Sequence, residues 1–380
     1  MLDRLRPAQA RVDLTRLREN FRAVQATARL PVIAVVKSDA YGHGALRVGR
    51  ALEAAGAAML AVAYAEEGVA LRAAGLRLPI LVLAGFGPSQ VGAFVDYELT
   101  PVVSTAPALA ALLEAARGDR EPLRVHVEVD TGMNRLGFGP EGVGAVVGKL
   151  LASGRVQVEG IMTHLAAADE DLSATSAQLD RFDAALCELR RQGFAPRFVH
   201  AANSAGIAQL RPGHTHVRPG LLLYGLKPRP LSPELEVRPV MTVSARIALV
   251  RDVLAGASVS YGGRFITTRP SRIATIPIGY ADGVPRTRAM TETGAFQIGG
   301  HRSAVAGNVC MDLTMTDVTD LPAVREGDEA VLFGDAPSAW DVAECAGANA
   351  WQVLTAVGPR VPRVYVEEGR VVGVESRYPV

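Results

Sequence analysis

The sequence predicts an α/β fold joined to a β fold: an N-terminal TIM-type (β/α)8 barrel followed by a C-terminal, mainly-β domain. Three observations predict it. Residues 1–232 repeat one rhythm, a short β-branched run, a turn, then an Ala/Leu/Arg-rich stretch of helical period. Four prolines between Pro228 and Pro239 break that rhythm, and alternating, Gly-interrupted runs follow. A length of 380 residues exceeds one ordinary core unless part of it is a barrel of ~250 residues. The expected domains are therefore 1–232 and 233–380.

The elements follow in order. A helix is expected at Leu14–Ala28. Eight runs read as buried parallel strands: Pro31–Val36, Met59–Ala63, Pro79–Leu83, Leu99–Val103, Leu123–Val129, Gln157–Thr163, Phe198–Ala201 and His216–Arg218. Stretches such as Gly44–Ala55, Tyr64–Ala74, Ala106–Arg117 and Ala174–Gln192 read as covering helices. A doubly wound sheet is the alternative, but eight strand–helix units close more naturally than they stay open. In the second domain, strands are expected at Met241–Val250, Ala257–Tyr261, Arg272–Ile278, Ala304–Val309 and Glu329–Phe333.

Composition narrows the class. Apolar residues make up 49% and charged residues 21%, with a net charge of +1, which fits a soluble globular protein. Neither a nucleic-acid nor a membrane partner is expected from that balance. The first residues carry charges and no apolar core segment, so no signal peptide is expected. The run Leu30–Val36 falls far short of the ~20 residues a membrane helix needs. Cys187, Cys310 and Cys345 form no CxxC pair, which points to reduced thiols and a cytoplasmic setting. His214 and His216 flank one Thr in a loop and are not read as a metal site. Gly137, Gly139 and Gly142 satisfy GxGxxG without its strand–turn–helix context, so no nucleotide site is expected there. Cys310 reads as a core cysteine rather than a nucleophile.

In such barrels function sits at the C-terminal ends of the strands, and phosphate binds the last two loops. Those ends carry Lys37, Glu128 with Asp130 and Arg135 behind, His164, Asn203 with Ser204, and Arg218 with Gly220. Lys37 is one of only three lysines, so positive surface charge here is an arginine task. A lysine closing an apolar strand suggests amine chemistry, the Schiff base that an always-protonated guanidinium cannot form. Ser204 and Gly220 offer a hydroxyl and backbone N–H groups in the two phosphate loops. Phosphate together with a Schiff-base lysine makes pyridoxal phosphate the leading cofactor. On strand five, Val125, Val127 and Val129 are expected to face the helices. His126, Glu128 and Asp130 should then face the axis, with Arg135 as the partner of Glu128.

AVVKSDAYGHG (34–44) resembles the pyridoxal-lysine motif of alanine racemases. VDTGMNRLGF (129–138), MTHLAAAD (162–169), HAANSAG (200–206), RPGLLLYG (218–225), VSYGGRF (259–265), PIGYADGVPR (277–286) and GNVCMD (307–312) are similar to further motifs of that family. The resemblance spans the chain in order. It implies a fold type III enzyme that interconverts L-alanine and D-alanine and supplies D-alanine for cell-wall peptidoglycan. It also implies a homodimer whose active sites the partner chain completes. Lys37 would hold pyridoxal 5'-phosphate as an aldimine and act as one base, with Tyr261 of the second domain as the opposite-face base. Tyr41, Ser204, Gly220, Leu221 and Trp351 would lie at the phosphate. Arg218 would face the pyridine nitrogen, with His164 behind it. Arg135 and the Met311 backbone would position the cofactor oxygen and the substrate carboxylate. Asn203, Tyr280, Asp312 and Glu128 would support the site, and His164 and Arg218 would supply positive charge to the tyrosine base.

Three positions depart from the family pattern. Glu128 stands where a carbamate-bearing lysine is common, which implies activity independent of bicarbonate. Trp351 replaces a tyrosine, and its indole N–H donates but cannot accept. Asn308 replaces an arginine along the substrate path, which points to a wider range of amino acids. A broad-specificity racemase acting on serine or larger side chains is therefore the alternative reading. Single-barrel pyridoxal-phosphate carriers lack the second domain, and basic amino-acid decarboxylases place an acid where Arg218 stands. A protein-interaction module remains the reading of the β-domain taken alone.

Overall fold

Short runs rich in Val, Ile and Leu become parallel strands here because helices cover the outer face and the packed barrel interior covers the inner one, leaving no polar side to pattern. The computed structural model describes residues 6–115 and 122–378. Within them the chain divides into two units: Leu17–Ala40 with Ala45–Val237, and Met1–Arg16 with Tyr41–Gly44 and Arg238–Val380.

The first unit is the barrel. Its strands are β1 (Ile33–Val35), β2 (Met59–Val62), β3 (Ile80–Val82), β4 (Leu99–Val103), β5 (Leu123–Glu128), β6 (Val156–Met162) and β7 (Phe198–His200). They pair in chain order, all parallel. Every residue of β1, β2, β3, β4 and β7 is buried. The eighth expected strand is not a strand. Val217 alone bridges to Val32, and the segment bonds to both edges: the Thr215 N–H donates to Val199 O at 2.8 Å and Val217 O accepts from the Ile33 N–H at 2.9 Å. The physical reason lies next door. Pro219 has no N–H to extend a ladder, and the Arg218 N–H turns to Ala202 O.

The expected helices form at Leu14–Ala28, Ala45–Ala54, Ala65–Ala73, Ala106–Ala115 and Leu172–Arg191. Ala116 and Arg117, expected to end the fourth, lie outside the described residues. In the last helix Asp171 accepts from the Ala174 N–H at 2.9 Å, and Arg190 and Arg191 stand in the final turn, where cations suit the helix dipole. Its inner face is Thr175, Gln178, Leu179, Phe182, Ala185, Leu186 and Leu189, spaced at three and four. No helix among the described residues is long and apolar enough to cross a membrane.

The second unit is β-rich. Its main sheet runs, in order, His301–Ala304, Ala295–Ile298, Glu329–Phe333, Met241–Arg246, Ala8–Asp13, Arg363–Glu367 and Arg370–Glu375. Ala8–Asp13, absent from the sequence-based reading, sits centrally, antiparallel to Met241–Arg246 and parallel to Arg363–Glu367. The expected division at 232/233 puts this segment with the barrel, whereas its pairing is with the β-rich sheet. A three-stranded sheet holds Leu249–Val253, Ser271–Ile276 and Thr314–Asp317. The expected strand Ala304–Val309 breaks after Ala304. Gly307 has φ 86°, and a Cβ there would stand 2.5 Å from Val259 O, so the chain turns close against its neighbour.

One hydrogen bond ties the end of β1 to the wall after the eighth position: the buried Tyr224 hydroxyl donates to Val35 O at 2.8 Å. Tyr224→Phe is expected to cost about 1–2 kcal/mol, because a buried acceptor loses a donor. A thermal melt should fall by about 2–6 °C; an unchanged melt would show that this bond carries no net stability.

Candidate functional site

Lys37 follows β1 directly and begins an unusual turn. Ser38, Asp39, Ala40 and Tyr41 all have φ of 53–54°, a left-handed turn without a glycine. Such a conformation costs roughly 1–2 kcal/mol per residue, so local bonds must hold it. Ala40 N–H donates to Val36 O at 2.8 Å, and Asp39 Oδ1 accepts from Ala45 N–H at 2.7 Å. Glu67, absent from the sequence-based site, also anchors it. Its Oε1 accepts from Ser38 N–H at 2.6 Å, while Oε2 accepts from Ala63 N–H at 2.6 Å and Tyr64 N–H at 3.1 Å. One carboxylate thus joins the turn after β1 to the helix start after β2. A glutamate three residues after Tyr64 is a helix-cap signal, but its reach to Ser38 is tertiary. Burial lowers the Lys37 pKa from 10.5, and Arg135 adds to that effect; Glu67 opposes it, and Arg218 lowers it further.

Arg218 is buried, with 3% exposure. Nη1 donates to His200 O at 2.6 Å and lies 2.8 Å from His200 Nδ1. Nη2 donates to Thr163 O at 2.7 Å and Ala201 O at 3.1 Å, and lies 3.4 Å from His164 Nδ1. Burial pulls its pKa down to about 10, against the attraction of Glu128. That still leaves the cation ahead of the neutral form by about a thousandfold at pH 7.

Ser204 Oγ accepts from Gly220 N–H at 3.0 Å and Leu222 N–H at 3.4 Å, at the start of a short 3-10 turn, Leu221–Tyr224. Asn203 Oδ1 accepts from Gly206 N–H at 2.9 Å and so shapes the loop that carries Ser204. Topology brings Lys37, Glu128, His164, Ser204, Arg218 and Gly220 to the C-terminal ends of the strands.

Two expectations are corrected. Arg135 does not pair with Glu128: among the described residues Glu128 has no side-chain hydrogen bond or ion pair, and Arg135 is exposed. The turn between them explains this. Asp130 Oδ1 accepts from Gly132 N–H at 2.9 Å and Asn134 N–H at 3.0 Å, winding the loop locally. Burial raises the Glu128 pKa, and of the two arginines Arg218 opposes that rise more than Arg135 does. His164 is not a cation either. Burial first, then Arg218, Arg135 and Lys37, lower its pKa to about 3, so it is neutral at physiological pH.

The remaining expected residues belong to the second unit. Tyr41 is buried, which pushes its pKa up to about 12 and keeps its hydroxyl a donor. Tyr261 is 72% exposed, in a turn that Asn308 holds: Nδ2 donates to Tyr261 O at 2.8 Å. Tyr280 carries Arg286 over its ring at 5.5 Å. Met311 is exposed, and its carbonyl accepts from Ala281 N–H at 3.1 Å. Asp312 pairs with Arg360 at 2.7 Å. Arg360 also joins Arg6 on the buried Asp282 carboxylate, a three-residue cluster that the sequence motifs did not suggest. Burial works to raise the Asp282 pKa, but the hydrogen bonds from Arg6, Arg360 and the Gly279 N–H outweigh it and lower it. Trp351 packs edge-on against Trp340, with centroids 5.6 Å apart.

Two family models match the chain: "Alanine racemase, N-terminal domain" over residues 12–228 and "Alanine racemase, C-terminal domain" over 240–365. An alanine racemase of Halothermothrix orenii is 41% identical over 369 residues, covering 95% of this chain and 97% of that protein. Among solved structures, an alanine racemase of Clostridium difficile 630 superposes with a TM-score of 0.92 at 33% identity, covering 97% of this chain and 98% of that one. The Bacillus anthracis alanine racemase with bound L-Ala-P gives a TM-score of 0.89 at 30% identity, covering 98% of each chain.

The electrostatics make a direct prediction. In cofactor-free protein, amine labelling of Lys37 across pH, read by peptide mass spectrometry, should titrate with a midpoint below 10.5. Arg135→Gln should move that midpoint upward, because the guanidinium disfavours a second nearby cation. A midpoint that ignores Arg135 would remove the loop arginine from the site.

Proposed function

The chain belongs to the alanine racemase family, and we propose that it interconverts L-alanine and D-alanine by a two-base mechanism with pyridoxal phosphate bound at Lys37. The observation that carries this reading is the pairing, at one barrel mouth, of an amine with a lowered pKa and a buried guanidinium that only donates. The residues present suit that cofactor. Lys37 is the nucleophile for its aldehyde. The Ser204 hydroxyl and the Leu221 N–H suit a phosphate dianion, as does the protonated Tyr41 hydroxyl, and the Gly220 N–H, donating to Ser204 Oγ, leaves the Ser204 proton to point at the phosphate. Arg218 suits a ring nitrogen that is to accept a hydrogen bond and remain unprotonated.

Bound pyridoxal phosphate supplies the electron sink that makes an amino-acid α-proton removable. The chain's own groups do the rest. Lys37 Nζ, freed of its proton more readily than an ordinary lysine, takes or returns a proton on one face. The Tyr261 hydroxyl does so on the other, reaching from the β-rich domain into the barrel of a second copy. Arg135 and the Met311 backbone orient the substrate carboxylate, with Asp312 and Tyr280 beside them. Trp351 lies toward the phosphate. Glu128, when ionised, favours the Arg218 cation. His164, neutral, supports Arg218 as a hydrogen-bond partner and adds no positive charge for Tyr261. The cytoplasmic setting and the supply of D-alanine for peptidoglycan complete the reading, with the barrel as cofactor domain and the β-rich domain as donor of the second base.

Borohydride treatment of the pyridoxal-phosphate-loaded protein should fix the cofactor mass on the Lys37 peptide. A chiral assay should show alanine racemised in both directions. Tyr261→Phe is expected to lower kcat by roughly 10²–10⁴-fold, the usual worth of a positioned acid–base group. Equal rates in Tyr261→Phe and wild type would end its role as the second base.

A further inference from the structure

Behind Arg218 a line of buried polar side chains runs into the barrel. Arg218 Nη1 is 2.8 Å from His200 Nδ1, and His200 Nε2 is 2.8 Å from His126 Nδ1. His126 Nε2 then faces Glu159 Oε1 at 3.7 Å, too long for a hydrogen bond, and has no other partner among the described residues. Both imidazoles are fully buried, and Glu159 is 7% exposed.

The direction of every bond follows from the first. A guanidinium has donors only, so His200 Nδ1 must accept and its proton must sit on Nε2. That Nε2–H donates to His126 Nδ1, which leaves the His126 proton on Nε2, pointed at the carboxylate. Burial lowers the pKa of both rings, that of His200 well below 6.5, so each stays in the neutral form this order requires. His216, stacked on Phe198 at 4.4 Å beyond His126, is likewise lowered by burial, to about 4.

The backbone is shaped around this line. In the β5–β6 ladder Val125 pairs with Val158, but His126 pairs with Gly160, which leaves Glu159 as the extra residue of a β-bulge. Bulges re-aim side chains, commonly beside active sites. At Gly160 a Cβ would stand 2.6 Å from three atoms of the His126 ring. The glycine therefore makes room for the imidazole next to the bulged glutamate. Apolar side chains would fill the same space without burying polar atoms, each of which costs about 1–3 kcal/mol when unpaired.

We propose that His200, His126 and Glu159 are positioning residues for Arg218, forming a one-way relay that fixes the rotation of its guanidinium and presents the lone-pair end of two aligned imidazoles to its charge. The consequence for racemisation rests on Arg218 being the ring-nitrogen partner; the relay itself does not. Its chemical advantage is distance. A carboxylate touching Arg218 would offset its charge at the barrel mouth, whereas one placed two rings away polarises the chain and leaves Nη2 to Thr163 and Ala201.

The test uses the whole, cofactor-free protein with ¹⁵N-labelled histidine. NMR should find His200 and His126 neutral and protonated on Nε2 from about pH 6 to about pH 8, with an N–H···N coupling between the two rings. A proton on Nδ1 of either ring, or charging of either in that range, overturns the relay. A second arm compares His126→Asn, whose amide oxygen can stand in for Nδ1, with the similarly bulky His126→Leu. Asn should hold kcat/KM within about threefold of wild type, while Leu loses roughly tenfold to hundredfold through misplacement of Arg218. The reverse order means packing alone and contradicts the proposal. The NMR arm reads unmodified protein, so a leucine variant that fails to fold leaves it decisive. Wild-type protein that bound no pyridoxal phosphate would sink the proposed function and leave the tautomers standing; wrong tautomers would do the opposite.

Discussion

The organising constraint is a full positive charge buried at the mouth of an apolar barrel. Arg218 cannot give up its proton at physiological pH, and its neighbours are arranged to satisfy that charge without cancelling it. Three backbone carbonyls, from the end of β7 and the loops after β6 and β7, take its N–H groups. Those bonds in turn dictate where the loops run. Burial keeps His164 neutral with help from the same charge, which also helps burial lower the pKa of Lys37 and partly offsets the burial that raises that of Glu128.

The other expenditure of stability is the left-handed turn after Lys37. Four non-glycine residues sit in a region that each resists, and Glu67 holds the first of their N–H groups. Strain of this kind persists only where the surroundings over-determine it, and it clusters at sites of function. Here it places an amine at the end of a strand with its backbone locked. The backbone that follows Lys37 and the Arg218 side chain are thus both held by bonds to the main chain, which suits chemistry that tolerates little misplacement.

Much of this was legible in the sequence, for identifiable reasons. The seven barrel strands could be read because each is a short run, largely apolar and mostly buried, with helical stretches between them. The eighth could not, since only Val217 of His216–Arg218 pairs and Pro219 stops it. Ala8–Asp13 was missed because its mixed run AQARVD has little β-branching, and its partners lie far along the chain. Lys37, Ser204 and Gly220 stood out as polar or special residues at strand ends. The roles of Glu67, Asp282 and Glu159 did not, because each depends on a partner from another loop or, for Glu159, on a bulge that strict alternation hides. The supposed Glu128–Arg135 pair failed for a similar reason: sequence proximity ignored the Asp130 turn between them.

A buried guanidinium that only donates should leave the ring nitrogen of its ligand unprotonated. Loading the protein with pyridoxal phosphate labelled with ¹⁵N in the ring would read it directly. The account predicts the resonance of an unprotonated, hydrogen-bonded pyridine nitrogen at neutral pH. A pyridinium signal there would contradict it.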